Sequence, residues 1–229
     1  MTTAVRDVLS ANLARVEKRL ATACARAGRP RASVTLVAVT KTVSVEVATE
    51  LAALGVRDLG ENRPQELWRK AEALNEIRWH LIGHLQRNKI DRTLPLVHRI
   101  HSVDSLRLLE AIDAVGPADV LLEVNCSGEA SKGGFSPAEV TALHEALQRL
   151  RQTRVAGLMT MAALEDDPER CRPTFRSLRA LRDDLQQRVG GRHQLSELSM
   201  GMSNDFEVAV EEGATLVRIG TALFEGLPR

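Results

Sequence analysis

Short apolar runs alternate with longer amphipathic stretches along almost the whole of this chain. At its start Val5, Leu9, Leu13, Val16 and Leu20 step by three or four. That is one face of a 3.6-residue period, and it predicts an amphipathic helix over about residues 2–27. Beyond it, β-rich apolar runs occupy 34–40, 56–60, 77–82, 97–102, 119–125, 154–159, 195–199 and 215–219. Helical patterns fill the gaps, and several carry start signals. Ser44 precedes one helix, and Pro64 opens another ahead of Leu67 and Trp68. Leu106, Leu109 and Ile112 mark the inward face of a third. Ser136-Pro137-Ala138-Glu139 reads as a capping box with proline at the first helical position. Asn204-Asp205-Phe206-Glu207 is a weaker form of the same device.

Strands that alternate with helices pair in parallel through right-handed crossovers. Runs such as Val34–Val39 and Val120–Leu122 are apolar on both faces, as strands covered by helices must be. Eight such units predict an α/β fold, a single-domain (β/α)8 TIM barrel over about 33–226 with an extra N-terminal helix. An open, doubly wound sheet is the alternative. No Gly-, Ser- or Pro-rich linker divides the chain, so residues 1–229 read as one domain.

Composition narrows the functional classes. Charged residues make up 27% of the chain and the net charge is +1, which offers neither nucleic acid nor membrane an electrostatic surface. No apolar run reaches membrane-spanning length, and the charged N-terminus is no secretory signal. Cys24, Cys126 and Cys171 are scattered and odd in number, which fits reduced thiols and a cytoplasmic location. Tyrosine is absent, so no phenol serves as a catalytic acid or base. A closed barrel without an apolar overhang fits a monomer.

Barrel chemistry sits at the C-terminal ends of the strands. There the run Val34–Thr40 ends in Lys41, one of five lysines against twenty-six arginines. An amine at the end of a buried strand loses its proton more easily than a solvated one, and a neutral amine forms Schiff bases. A lysine snorkelling from a strand terminus is the plainer reading. The last two units carry Ser199-Met200-Gly201-Met202-Ser203 and Arg218-Ile219-Gly220-Thr221. Loops at this place in barrels hold phosphates, through close-approaching glycine amides, hydroxyls and a following helix N-terminus. Chain turns and a helix cap would use the same residues. Arg218 shares a strand face with Leu216 and Gly220. It therefore points into the barrel and needs a partner, either a ligand or an acid such as Glu123 or Glu197.

Six blocks in order resemble the pyridoxal 5′-phosphate (PLP) homeostasis protein family, over about residues 34–226. They are Val39–Lys41; Gly60–Asn62 with Gln65-Glu66; Trp79–Lys89; Ser131–Phe135; Gly157–Met161; and Leu198–Ser203 with Val217–Thr221. Arg63-Pro64 and Cys126 depart from the family pattern. The resemblance implies a barrel like the N-terminal domain of alanine racemase, with PLP held as a Schiff base on Lys41. Ser199, Gly201, Gly220 and Thr221 would surround the phosphate, and Arg218 would face the pyridine nitrogen. Asn62 would lie beside the ring and Met159 would pack near it. It further implies intracellular buffering or delivery of PLP, with apo PLP-dependent enzymes as recipients, and no strong catalysis.

An arginine at the ring nitrogen agrees with weak catalysis, because it donates hydrogen bonds and supplies no proton to make the ring a strong electron sink. Two enzymatic alternatives remain. A low-activity amino-acid racemase would need a second acid–base group, which neither a tyrosine nor residues beyond Arg229 provide. A Schiff-base aldolase acting on a phosphorylated substrate would be colourless as purified. His80 and His84 favour structural or cofactor-adjacent roles over metal binding. Cys126 reads as an inert thiol. Lys132 reads as a solvated lysine, or as a transient acceptor of PLP during transfer.

Overall fold

A computed structural model describes residues 3–129 and 133–227. Each of the eight apolar runs forms a strand: β1 Thr35–Val39, β2 Asp58–Glu61, β3 Arg78–Leu81, β4 Arg99–Val103, β5 Asp119–Glu123, β6 Arg154–Met159, β7 Glu197–Ser199 and β8 Leu216–Ile219. All neighbours are parallel, and β8 pairs with β1 to close a barrel. The barrel alternative, not the open sheet, is the fold. Helices α1 Thr3–Arg26, α2 Val45–Ala53, α3 Pro64–Ala73, α4 Ile90–Thr93, α5 Leu106–Val115, α6 Pro137–Ala142, α7 His144–Arg149, α8 Arg172–Arg188 and α9 Phe206–Glu211 surround it.

Several strands start later than the apolar runs do, because the first amides of those runs are already committed elsewhere. Val56 N–H donates to Leu51 O, completing the end of α2, and Val97 N–H donates to Leu94 O. Leu195 N–H donates to the Gln186 side chain. An amide bonded to its preceding turn cannot join the sheet ladder.

Strand alternation, with a register shift in β6 at Ala156, separates two apolar regions. Val37, Leu121, Ala156, Met159 and Leu216 form a small cluster inside the barrel. A larger cluster lies between the sheet and the helices, and includes Leu36, Leu59, Leu81, Val217 and Ile219. The N-terminal end of the barrel is ionic. Arg99 lies between Glu197 at 3.2 Å and Asp119 at 3.8 Å, while Arg78 pairs with Asp58 and Arg154 with Asp119.

The amphipathic stripe of α1 buries Leu9, Val16 and Leu20 completely. Burial of one such side chain is worth about 1.5–3 kcal/mol. Asn12 donates to the carbonyls of Leu223 and Glu225 at 3.0 and 2.9 Å, tying α1 to the segment after β8. Arg19 forms a two-pronged pair with Glu207 of α9. The capping box at Ser136 is complete. The one expected at 204–207 is not: α9 starts at Phe206 without a side-chain cap, and the Asp205 carboxylate accepts Met202 N–H at 2.6 Å instead. On α5 the fully inward positions are Leu108, Leu109 and Ile112, with Leu106 half-buried at the first turn.

Candidate functional site

Lys41 stands two residues past the end of β1, and its side chain is exposed. The burial expected around this amine is found one residue earlier and beneath it. Thr40 is fully buried, and its hydroxyl donates to Glu61 Oε1 at 2.7 Å. Its carbonyl accepts Lys70 Nζ at 2.7 Å, and Lys70 Nζ also meets Glu61 Oε1 at 2.5 Å. Both charged side chains are inaccessible to solvent, at 1% and 0% exposure. A buried ion pair thus clamps the residues immediately before Lys41 and Asn62. Sequence reasoning missed Lys70. The signal is its place in the apolar stripe Leu67–Lys70–Leu74, where an uncompensated charge is too costly to bury.

Asn62 follows β2 and is half-buried. A Cβ on Gly83 would come within 2.2 Å of Asn62 O, so a glycine is required for the loops after β2 and β3 to approach.

Arg218 lies inside the barrel on β8, as the strand pattern requires, with 4% of its surface exposed. Its NH1 donates to Ser199 Oγ at 2.6 Å and its NH2 to Thr160 O at 2.9 Å. Neither of the acids named from the sequence pairs with it, since Glu197 bonds Arg99 instead. Burial pushes the guanidinium down to about 10, against the attraction of Asp205 and Glu123. Glu123 is itself pushed up by burial and by Asp104. Arg218 therefore presents a buried positive charge whose hydrogen-bond acceptors here are a hydroxyl and a carbonyl. Met159 is buried in the interior apolar cluster near the end of β6, in register with Ser199.

The two glycine–hydroxyl loops lie side by side at the same barrel end, where Ser203 Oγ accepts Ala222 N–H at 3.3 Å. Gly201 has φ +94, and a Cβ there would meet Ala209 Cβ at 2.6 Å and Phe206 Cα at 2.9 Å, so no larger residue fits without a shift. A Cβ on Gly220 would lie 3.2 Å from Val39 O, against the end of β1. Thr221 is exposed. Ser199 differs from these neighbours: its hydroxyl is fully buried and bonded to His101 and Arg218, so it belongs to the interior and not to the loop surface. The helix behind the loop, α9, has six residues.

The two histidines four apart face different surroundings. His80 points into the barrel, whereas His84 is exposed and bonded to Asp104 at 3.0 Å. Among the described residues no group of three or more acids, histidines or cysteines could hold a metal ion. Cys126 is half-buried, and burial pushes its thiol up, away from the reactive thiolate. Lys132 lies outside the described residues.

An accessible amine at one strand end, glycine loops at the same barrel end and a buried guanidinium are groups suited to a small anionic carbonyl compound. Residues 11–228 match the family described as alanine racemase, N-terminal domain. The chain is 46% identical to the pyridoxal phosphate homeostasis protein of Aquifex aeolicus over 219 residues, 93% of this chain and 95% of that one. Among solved structures it is similar to PipY of Synechococcus elongatus PCC7942 with PLP bound, at 36% identity and TM-score 0.79, covering 91% of this chain and 99% of that one. It also resembles alanine racemase from Corynebacterium glutamicum at 18% identity and TM-score 0.73, over 97% of this chain and 64% of that one. That last likeness concerns the fold alone.

Proposed function

The chain belongs to the pyridoxal phosphate homeostasis protein family, and on that premise we propose that it binds PLP, holds it as a Schiff base on Lys41, and buffers or delivers it to apo PLP-dependent enzymes in the cell. The observation that carries this reading is Arg218, a guanidinium buried in the lumen whose acceptors among the described residues are neutral, the Ser199 hydroxyl and the Thr160 carbonyl. A buried cation of this kind is an apt donor to a pyridine nitrogen, which accepts a hydrogen bond without needing a charge. PLP supplies an aldehyde, with which an amine condenses with loss of one water. Lys41 Nζ is accessible for that condensation. In this reading Gly201, Gly220 and Thr221 would hold the phosphate, Asn62 would lie beside the ring, and the buried Met159 would pack near it.

Arg218 also limits the chemistry. It donates and does not protonate the ring nitrogen, so carbanions next to the bound cofactor gain little stabilisation. Exposure of Lys41 leaves the bond to its nitrogen open to water and to exchange with other amines, which suits storage and release better than a sealed reaction chamber. The protein acts in this reading as a cytoplasmic monomer.

Absorption spectra test it. The PLP-loaded protein should be yellow, lose its visible band on borohydride reduction, and yield a peptide carrying the reduced adduct at Lys41. Lys41→Ala should lack the band. A loaded wild type without a visible band, or with the adduct confined to other lysines, would sink the assignment.

A further inference from the structure

Five side chains from five strands form one continuous hydrogen-bonded chain across the barrel lumen. Asp58 Oδ1 lies 3.0 Å from His80 Nε2, and His80 Nδ1 lies 2.8 Å from His101 Nε2. His101 Nδ1 lies 2.8 Å from Ser199 Oγ, which in turn is 2.6 Å from Arg218 NH1. None of the five residues is more than 7% exposed. They come from β2, β3, β4, β7 and β8. Arg78 flanks Asp58 at the outer end, the ring of His98 meets His80 edge-on at 5.5 Å, and the charge of Arg99 lies nearby.

With Asp58 ionised and both imidazoles neutral, the hydrogens in this network admit one consistent order. Arginine only donates, so Ser199 Oγ accepts from Arg218. An Asp58 carboxylate only accepts, so His80 donates through Nε2. A neutral His80 then offers Nδ1 as an acceptor, which His101 meets with Nε2–H. The remaining His101 nitrogen, Nδ1, accepts the Ser199 hydroxyl hydrogen. The opposite order would set a bare His80 nitrogen against a carboxylate, two acceptors facing each other without a proton. Burial favours the neutral form of both imidazoles.

We propose that Asp58, His80, His101 and Ser199 are positioning residues: their ordered hydrogens turn the lone pairs of Ser199 toward Arg218 and so hold the guanidinium at the cofactor face of the barrel. The charge that sets this order sits at the N-terminal end of β2, at the opposite end of the barrel from Lys41. The inference rests on the PLP reading only for what Arg218 addresses; the order of the hydrogens stands apart from it. It also means that Ser199 spends its hydrogen on His101 and does not donate it to a phosphate.

Two measurements test the proposal. Long-range 1H–15N spectra of the ligand-free wild type at neutral pH should show His80 and His101 both neutral with the hydrogen on Nε2. A hydrogen on Nδ1 of His101, or a doubly protonated His80, would overturn the order. With PLP bound, His101→Leu removes the acceptor for the Ser199 hydroxyl. It should release PLP about tenfold faster, the size expected for one hydrogen bond, and shift the visible band. His101→Gln keeps an acceptor and a donor, and should restore release to within about threefold of wild type. Ser199→Ala should release PLP as fast as His101→Leu does. Wild-type release and an unshifted band in a folded His101→Leu protein would refute the positioning role. Should the wild type take up no PLP, the proposed function fails, and the imidazole spectra still decide the hydrogen order.

Discussion

At the scale of single residues, the decisive feature is the contrast between two lysines. Lys41 is visible in the sequence because it interrupts an apolar strand run. Lys70 is equally unusual, yet it hides in a helix where lysine is common. Its Nζ is tied to Thr40 O and Glu61 Oε1, and the second Glu61 oxygen has no hydrogen-bond partner among the described residues. Two charges in so dry a place stabilise the fold little as a pair, but removing one leaves the other stranded. Lys70→Ala should therefore lower unfolding stability by roughly 3–5 kcal/mol in urea titrations, whereas Lys70→Met with Glu61→Leu should recover most of it. A loss below about 1 kcal/mol would mean that the pair is solvated. Arg218 illustrates the same divide. Strand parity alone sends its side chain into the lumen, but its partners, Ser199 and the Thr160 carbonyl, come from β7 and the end of β6. No local pattern names them.

At the scale of elements, hydrophobic period located every strand, because a strand covered on both faces must be apolar over its length. Boundaries were less legible. Val56 and Val97 look like strand residues, yet their amides finish the preceding turns. Caps depend on backbone geometry that composition does not reveal. Ser136 accepts Glu139 N–H, and Glu139 reaches back to Ser136 N–H. Asn204 is exposed and caps nothing, while Asp205 is buried and bonded to the loop before it. Ser136→Ala should cost about 1 kcal/mol in chemical denaturation, and Asn204→Ala should change stability by less than about 0.5 kcal/mol. Equal losses at both positions would contradict this distinction.

At the scale of the whole molecule, the buried imidazoles govern the response to acid. Burial pushes His80 and His101 below their usual 6.5, and His98 and His193 move in the same direction for the same reason. The unfolded chain takes up these protons as pH falls through 6.5, while the folded chain resists them. The histidine contribution is therefore complete above that pH and is lost below it, with a slope of about 1.4 kcal/mol per pH unit for each fully resisting histidine. Asp58 behaves alike lower down. Burial works against its charge, but bonds from Arg78 and His80 hold it at about 2, so its contribution disappears between about 3.8 and 2. Urea midpoints measured from pH 7.5 to 5 should fall steadily below about 6.5, and a flat profile would show that the imidazoles titrate freely. Pattern along the chain is enough to give the eight-unit alternation, the barrel end of the candidate site, and the candidate residues Lys41, Gly201, Arg218 and Gly220, since period and parity depend on neighbours along the chain. Only the closed barrel decided that Lys41 is exposed, that Lys70 and Glu61 lie beneath it, and that Asp58, His80, His101, Ser199 and Arg218 join hands across the lumen. Those contacts link strands as far as 98 residues apart between His101 and Ser199, and such pairings exist only once the sheet has closed on itself.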